Sequence, residues 1–541
     1  MPNDWSNDFP ITRRRLFTYT SALAGMSAIP TLLGCATTPR AAPLRDPFTL
    51  GVASGDPSAD GMVLWTRLAT EPLAQDGLGG MPNIAIPVAW EIASDEQMRS
   101  IVARGDAVAS PDDAHAVHVE VANLLPNRPY WYRFRALGAE SGIGRTRTAP
   151  AATDKIDRLR LAFASCSNWE LGYFGAYQHM AAEDPDLVMF LGDYIYEYSY
   201  KPDEREAKGV VRAHDRQAKL TELAHYRSRY AQYRTDPDLQ ALHATAPCLM
   251  TWDDHEVEND YGGPYSEWKN TSEATLLQRR AMAYKAYWEN MPLRKPKRPV
   301  GPDARIYDRL RWGDLAQFTV LDGRQYRTHQ QACPIPTDRK RGGHMVTDAC
   351  TERLDDKRSM LGFEQEKWLF DGFKRDRARW NLFAQDLLVA EVVSPLKDGT
   401  LGNWTDAWDG WPATRARMLR AMNQAKLKNA VFFGGDIHSF WATDLKTDNH
   451  KANLAATATE FVGTSATHTS TPPYDYADIA PHNQHIKFYD RSKRGYASVE
   501  ITKQSVETRF QALDNARDSK TGVSTLAKFH VENGRAGAIK A

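Results

Sequence analysis

Four apolar runs in this chain each end in side chains able to hold a metal ion. The run over 159–164 ends at Cys166. The run over 187–191 ends in Gly192-Asp193, with Tyr196 three places on. The run over 247–252 ends in Asp253-Asp254-His255-Glu256, and that over 430–433 in Gly434-Gly435-Asp436-Ile437-His438. A carboxylate and a phenolate meeting at one point, Asp193 and Tyr196, suit a hard trivalent cation such as Fe(III). The thiolate, imidazole, phenolate and carboxylates together suit a mixed site for one transition metal and one harder ion. Each stretch alone also has a plainer reading. Asp193 caps a helix, the tyrosines fill a core, and a lone Asp-X-His is more often a surface or capping pair than a ligand pair. Four such ends in one domain are hard to obtain from packing needs alone.

Short, unbroken apolar runs read as buried strands, parallel and covered on both faces. Chemistry in such sheets sits at the carboxyl ends of the strands, and Gly192 permits the tight turn that presents Asp193. The spacing predicts helices near 177–182, over 221–234, after the Asp236-Pro237 cap, and over 272–290, 363–377 and 415–427. Further strands are expected at 316–321, ahead of Asp322-Gly323-Arg324, within 380–393 and at 495–501. The catalytic domain then spans 157–510. Residues 511–541 form a polar tail with a short helix near 524–531. Upstream, the runs at 62–65, 86–92, 115–121 and 130–135 read as short strands, several alternating in period two, punctuated by Gly, Pro, Asn and Asp. They suggest an all-β, Ig-like or fibronectin-like sandwich over 47–150. Ser54-Gly55-Asp56-Pro57 and Trp65-Thr66-Arg67 stand out within it.

The 541 residues allow two or more domains and a large core. Lys+Arg and Asp+Glu both number 68, so no global basic field recruits nucleic acid or anionic membrane, and no sequence-specific nucleic-acid binding is expected. The N-terminus reads as a targeting segment. Arg13-Arg14-Arg15-Leu16-Phe17 and the Ala/Ser/Gly-rich stretch after it resemble a twin-arginine export signal. Leu32-Leu33-Gly34-Cys35 resembles a lipobox, so that residues 1–35 are removed or lipidated at Cys35; an ordinary signal peptide cut a little later is the alternative. The twin-arginine translocase would be a partner. Membrane contact would come only through a lipid anchor on Cys35, and the protein would be periplasmic or lipid-anchored at the cell envelope. Residues 36–46 are a Pro/Ala linker. No other apolar run reaches the roughly 20 residues needed to span a bilayer. Export permits disulfides; Cys333 and Cys350, flanking a Pro/Gly/Lys/Arg-rich loop, are the expected pair, and Cys248 is expected as a buried thiol.

The order of these motifs resembles the binuclear metallophosphatases, whose usual signatures are Asp-x-His, Gly-Asp-x-x-[His/Tyr], Gly-Asn-His-[Glu/Asp] and Gly-His-x-His. This chain departs at three places: Cys166 stands at the first ligand, Asp254 replaces the Asn, and Asp436 replaces the first His. Those departures resemble the PhoD family of alkaline phosphatases and phosphodiesterases. The resemblance covers nearly all of the mature chain, and it includes Gly51-Val52-Ala53-Ser54-Gly55-Asp56-Pro57, Leu64-Trp65-Thr66-Arg67 and Trp252-Asp253-Asp254-His255-Glu256. Gly323 is a small departure, at a place where Thr is expected.

The resemblance implies an α/β fold, an αββα metallophosphatase sandwich behind the N-terminal all-β sandwich. It also implies an iron–calcium centre. Fe(3+) would be held by Cys166, Asp193, Tyr196 and His438. Asp193 would bridge to Ca(2+), with Asp254, Asp436 and a third ligand from Asp253 or the strand near Gln385. The implied activity is hydrolysis of phosphate monoesters or diesters at alkaline pH through a metal-activated oxygen nucleophile. His255, beside Asp254, would stabilise the transition state or protonate the leaving alkoxide, or else orient Asp253 or Asp254. Arg324 would contact phosphate or form a structural ion pair. Tyr194 and Tyr198 read as packing. Trp404, Trp408 and Trp411 wall a cleft or pack.

Two other readings stay open. A phospholipase D-like enzyme would keep the metals and act on phospholipid head groups, and a dead site would only hold phosphate. The small-molecule partners in all cases are phosphate esters, phospholipids and nucleotides included. A serine-hydrolase reading lacks Gly-x-Ser-x-Gly, and a dinucleotide-binding reading lacks Gly-x-Gly-x-x-Gly.

Overall fold

The structure is a computed structural model that describes residues 45–329, 332–333, 342–375, 378–449, 451 and 453–541. The expected export signal, the expected lipobox with Cys35 and nearly all of the expected linker lie outside the described residues.

Two sheets pack face to face. Strands Arg158–Ala164, Leu187–Leu191 and Cys248–Thr251 run parallel at the centre of a ten-stranded sheet. Their register (Phe190 beside Ala164, Leu191 beside Thr251) makes the three end at one level. Strands Ala316–Val320, Trp380–Ala384, Ala430–Gly434 and Ala458–Val462 are the parallel centre of a seven-stranded sheet. Alternation sorts the side chains. Leu161, Phe163, Met189 and Leu191 face inward against Phe318, Leu382 and Phe433 of the second sheet. Ala162, Ala164, Val188 and Phe190 face outward, under helices Gly175–Ala182, Leu223–Arg234, Pro237–Thr245 and Glu273–Asn290. Helices Phe363–Arg375 and Pro412–Gln424 cover the other side, over Phe383 and Phe432. This is the αββα arrangement expected. The helix starts follow the sequence: Asp236 accepts the amides of Asp238 and Leu239, and Ser272 that of Thr275.

The N-terminal strands depart from the expectation of a separate sandwich. Val52–Ser58 pairs parallel with Cys248–Thr251, and Gly61–Arg67 and Ala116–Val121 follow it, so all three extend the ten-stranded sheet. Ile86–Ala93, Ile101–Ala109, Pro129–Ala136, Ala139–Glu140 and Gly144–Arg147 form a second sheet that packs across them on a core including Leu64, Val117, Val88 and Tyr132. The result is a sandwich with one wall shared with the catalytic sheet. A close approach makes this possible: a β-carbon on Gly55 would lie 2.5 Å from the Pro292 carbonyl oxygen.

The far end of the chain also corrects an expectation. The stretch after Gln511 is not a polar tail with a helix at 524–531. Gly495–Thr502, Ser505–Leu513, Val523–Glu532 and Ile539–Lys540 form the other side of the ten-stranded sheet out to its edge. Ala527, Phe529 and Val531 alternate inward, a period-two pattern diluted by Lys528 and His530. Cys333 and Cys350 form a disulfide, and Cys248 is a buried thiol, as expected.

The two N-terminal motifs turn out to be joints. Arg67 is fully buried and donates to the carbonyls of Ala114, Arg227 and Gly77 and to the Asn290 side chain. The Trp65 indole donates to the Glu289 carbonyl at 3.0 Å. Asp56, buried, accepts from Lys297 Nζ at 2.7 Å and from the Arg294 amide at 3.0 Å. Removing one partner of a buried pair strands the other. Asp56→Ala should therefore lower the unfolding free energy in denaturant titrations by about 3 kcal/mol. A loss under about 1 kcal/mol would show that the pair does not clasp the two parts.

Candidate metal centre

The strand ends turn their side chains inward through left-handed backbone. Cys166 has φ 58°, Asp193 φ 51°, Asp436 φ 63° and His438 φ 53°. A non-glycine residue held there costs about 1 kcal/mol, and such strain gathers at functional sites. Gly192, at φ 86°, is a position where glycine is required on two counts: a β-carbon there would also lie 2.4 Å from Asp253 Cβ. Buried Glu256 ties two strand ends together, accepting the amides of Asp193 at 3.1 Å, Tyr194 at 2.6 Å and Asp253 at 2.8 Å.

These turns bring the expected residues together. The ligand atoms of Cys166, Asp193 and His438 lie within 4.8 Å of one another. So do those of Asp193, Asp254 and His255, and those of Asp253, Asp254 and Asp436. The Tyr196 hydroxyl donates to Asp193 Oδ2 at 2.9 Å and stands 3.3 Å from His438 Nε2, which adds it to the first group. Asp193 belongs to two groups and Asp254 to three, counting a further group with Asp260 and Asp406.

Charge is crowded here beyond what the protein alone sustains. Burial, with Asp254 and Asp253 adjoining, raises the Asp193 carboxyl well above the usual range. Burial and Asp253 do the same to Asp436 and Asp386. Burial pushes Asp253 up to about 7, against the pull of Arg324. Burial, then Asp193, raises the Cys166 thiol and the Tyr196 phenol. Asp254 goes the other way: Arg324 and His255 outweigh its burial and bring it to about 2. A bound cation reverses the upward shifts, because it favours every anionic form at once. Asp253 Oδ2 and both Asp386 carboxylate oxygens are buried with no hydrogen-bond partner. Orphaned acceptors beside a thiolate, a phenolate and carboxylates are a donor set that fits the expected ions.

Arg324 is the cation set among these acids. It is fully buried, it donates to Asp253 Oδ1 and, at 3.0 Å, to Asp406, and it approaches Asp254, Asp386 and Asp436 at 3.8 to 3.9 Å. The structure thus shows Arg324 in ion pairs with the acids of the centre. Gly323 next to it makes room for Asp386, whose carboxylate oxygens would lie 2.5 Å from a β-carbon at 323. The neighbouring Gln385 turns back onto the Leu387 amide at 2.9 Å.

His255 is held from behind. Its Nδ1 meets Glu197 Oε2 at 2.6 Å. Despite burial, Asp254, Asp193 and Glu197 raise its pKa well above the usual value, and His255 in turn brings buried Glu197 down to about 2. His438 is oriented by Ser470, whose hydroxyl meets Nδ1 at 2.7 Å, and His468 stacks on its ring at 4.2 Å. Tyr198 is more than packing, because its hydroxyl meets His468 Nε2 at 2.9 Å. Tyr194 contacts the buried His243 in the same manner.

Asp260, Asp406, Asp386, Glu197, Glu256, His468 and Ser470 were missing from the sequence reading. Glu256 lies inside a motif already quoted, and Glu197 directly follows Tyr196. Asp406 hid among tryptophans of which Trp408 and Trp411 are buried and only Trp404 is exposed. The centre opens beside Asp436, 24 % of whose side chain remains exposed, into a cleft of about 250 Å³.

A family model described as PhoD-like phosphatase matches residues 161–510, and one described as PhoD-like phosphatase, N-terminal domain, matches residues 34–150. The chain is 42% identical over 503 residues to alkaline phosphatase D of Bacillus subtilis (strain 168), covering 91% of this chain and 82% of that protein. A solved structure of PhoD is 41% identical and superposes with a TM-score of 0.85 over 92% of each chain.

Because Asp193 serves two ligand groups, Asp193→Asn should cut bound metal, read by elemental analysis, by about tenfold or more with an unchanged far-UV CD spectrum. Full metal content in that variant would remove Asp193 from the shared position.

Proposed function

The chain belongs to the PhoD-like phosphatase family and hydrolyses phosphoric ester bonds, and from that premise we propose that it does so at a centre holding one ferric and one calcium ion. The observation that carries this reading is the convergence of Cys166, Asp193 and His438, with the Tyr196 hydroxyl on Asp193. A thiolate and a phenolate on one ion favour Fe(III). The oxygen-only group of Asp253, Asp254 and Asp436, with Asp193 shared, suits calcium. When bound, the ions supply Lewis-acid charge to the phosphoryl oxygens and an acidified water as nucleophile.

The chain's own residues do the rest. Glu197 fixes the His255 ring through Nδ1, and Asp254, Asp193 and Glu197 together favour its protonated form, which leaves Nε2 to deliver a proton to the departing alkoxide. Arg324 keeps Asp253 and Asp406 in place. Ser470 and His468 hold the His438 ring. The substrate enters through the cleft beside Asp436 and His438, and its leaving group stays there.

The substrates we propose are phosphate monoesters, diesters or both, at alkaline pH. We also place the protein outside the cytoplasm, by the twin-arginine route, with Cys35 as lipid anchor in the periplasm or at the envelope. The residues that support this are Arg14-Arg15 and Leu32-Leu33-Gly34-Cys35. No helix among the described residues is long and apolar enough to cross a membrane. Replacing Arg14-Arg15 by Lys-Lys should keep the protein in the cytoplasmic fraction; unaltered export would overturn the route.

A chromogenic monoester, a diester and phosphatidylcholine assayed side by side test the substrate reading. Turnover of the first or second by a protein with a visible ferric band is expected. A colourless, fully active preparation would overturn the iron, and turnover of phosphatidylcholine alone would favour a phospholipase. His255→Asn should lower kcat about 10²- to 10⁴-fold on an alkyl ester and much less on a p-nitrophenyl ester, whose leaving group needs no proton. Equal losses on both would return His255 to an orienting role.

A further inference from the structure

The cleft beside the centre is lined by two unlike sets of residues. Asp260, Asp406, Asp436 and His438 are residues of the centre. Met345, Trp404, Ile437, Pro472, Pro473 and Tyr474 give the same cleft an apolar and aromatic lining. A substrate whose phosphorus lies at the centre therefore meets an apolar wall with the group it releases. Trp404 dominates that wall. The tryptophans at 408 and 411 are buried, whereas Trp404 keeps 41 % of its surface exposed. Trp404 thus presents part of its aromatic face to solvent inside the cleft.

The ring is also held in place. Trp404 ends the strand Leu401–Trp404, which pairs with Met345–Thr347, with Met345 directly opposite. A β-carbon on Gly343 would lie 2.4 Å from the Trp404 ring, so bare backbone supports the indole there. Two residues on, Asp406 is fixed by Arg324 and Arg327. The indole is thus tied both to the strand pair and to the acids of the centre. A rigid, half-open aromatic face next to a reacting phosphorus is built to stack on a flat group.

We propose that Trp404 is a specificity-determining residue that stacks on an aromatic ring carried by the leaving alcohol, so that preferred substrates are phosphate esters of ring-bearing alcohols. This rests on the phosphoesterase reading above and names its leaving-group class. Stacking of one ring on an aromatic side chain contributes about 1–3 kcal/mol, which is roughly 5- to 150-fold in kcat/KM when it persists in the transition state.

The test compares 2-phenylethyl, hexyl and glycerol phosphates, whose leaving alcohols differ little in acidity, on the metal-loaded enzyme. The wild type should prefer the phenylethyl ester to both others by about tenfold. Trp404→Ala should erase that preference while leaving the glycerol ester within about twofold, and Trp404→Phe should keep most of it. Equal wild-type efficiency on phenylethyl and hexyl esters would mean a merely apolar wall and overturn the stacking. A Trp404→Ala that slows all three alike would make the residue structural and overturn it too. Turnover of none of the three, offered both as monoesters and as their methyl diesters, would overturn the phosphoesterase reading and this inference with it, whereas the other outcomes leave that reading standing.

Discussion

More negative charge is packed at the ends of these strands than the protein's own cations balance, and much of the molecule serves to hold it there. Five carboxylates lie within 4 Å of Arg324, one buried guanidinium. In a medium of low polarity such charges repel strongly. A flexible scaffold would let them part. Two packed sheets prevent that, since the strand ends are locked by ladder hydrogen bonds and by the core between the layers. Glu256 adds an unusual brace, a buried carboxylate bound only to main-chain amides of the same turns. Left-handed backbone at four candidate ligands is strain that such a frame can carry.

The part of this design legible in the sequence is the part that is local. An apolar run stopping at Gly-Asp or Asp-Asp-His is a single event in the chain, and its strand, its turn and its ligand are read together. Several such runs separated by helices read as parallel strands of an α/β protein, whereas the αββα layering was implied only by the family resemblance. Asp260 and Asp406 escaped because their place beside Asp254 depends on where whole loops return. His468 shows a signal that was present and unused: the Ala458–Val462 strand ends at the same edge, and a histidine follows six places on. The sharing of a sheet by the N-terminal strands was invisible for a different reason. Alternation says that a strand has a buried face, but not which neighbour it pairs with.

Polar side chains do a second task here, away from the centre. Helix Leu223–Arg234 reads as a surface helix, yet nine of its twelve residues are buried. Arg227 pairs with Glu289, Arg229 donates to the carbonyls of Tyr196 and Tyr198, and Arg234 donates to that of Asn290. Guanidinium groups with several donors can satisfy irregular backbone where apolar side chains cannot. These arginines occupy the joint between the N-terminal strands, the loop after Asp193 and the helix Glu273–Asn290. That explains a buried helix with almost no apolar stripe.

The ten-stranded sheet also sets a timetable. Val52–Ser58, Leu187–Leu191 and Gly495–Thr502 lie in it together, although nearly the whole chain separates the first from the last. At roughly 5–20 residues per second, the first strand waits roughly 20 to 90 seconds before the last emerges from the ribosome. Until then the edge of Arg158–Ala164 that Gly495–Thr502 covers is unpaired, and that pairing joins segments far apart in sequence, which makes it slow. Asp436 and His438 also leave the ribosome late. A nascent chain therefore carries the strands long before it carries the full acid cluster, and the repulsion within that cluster reaches its full strength only when the frame that contains it is almost complete.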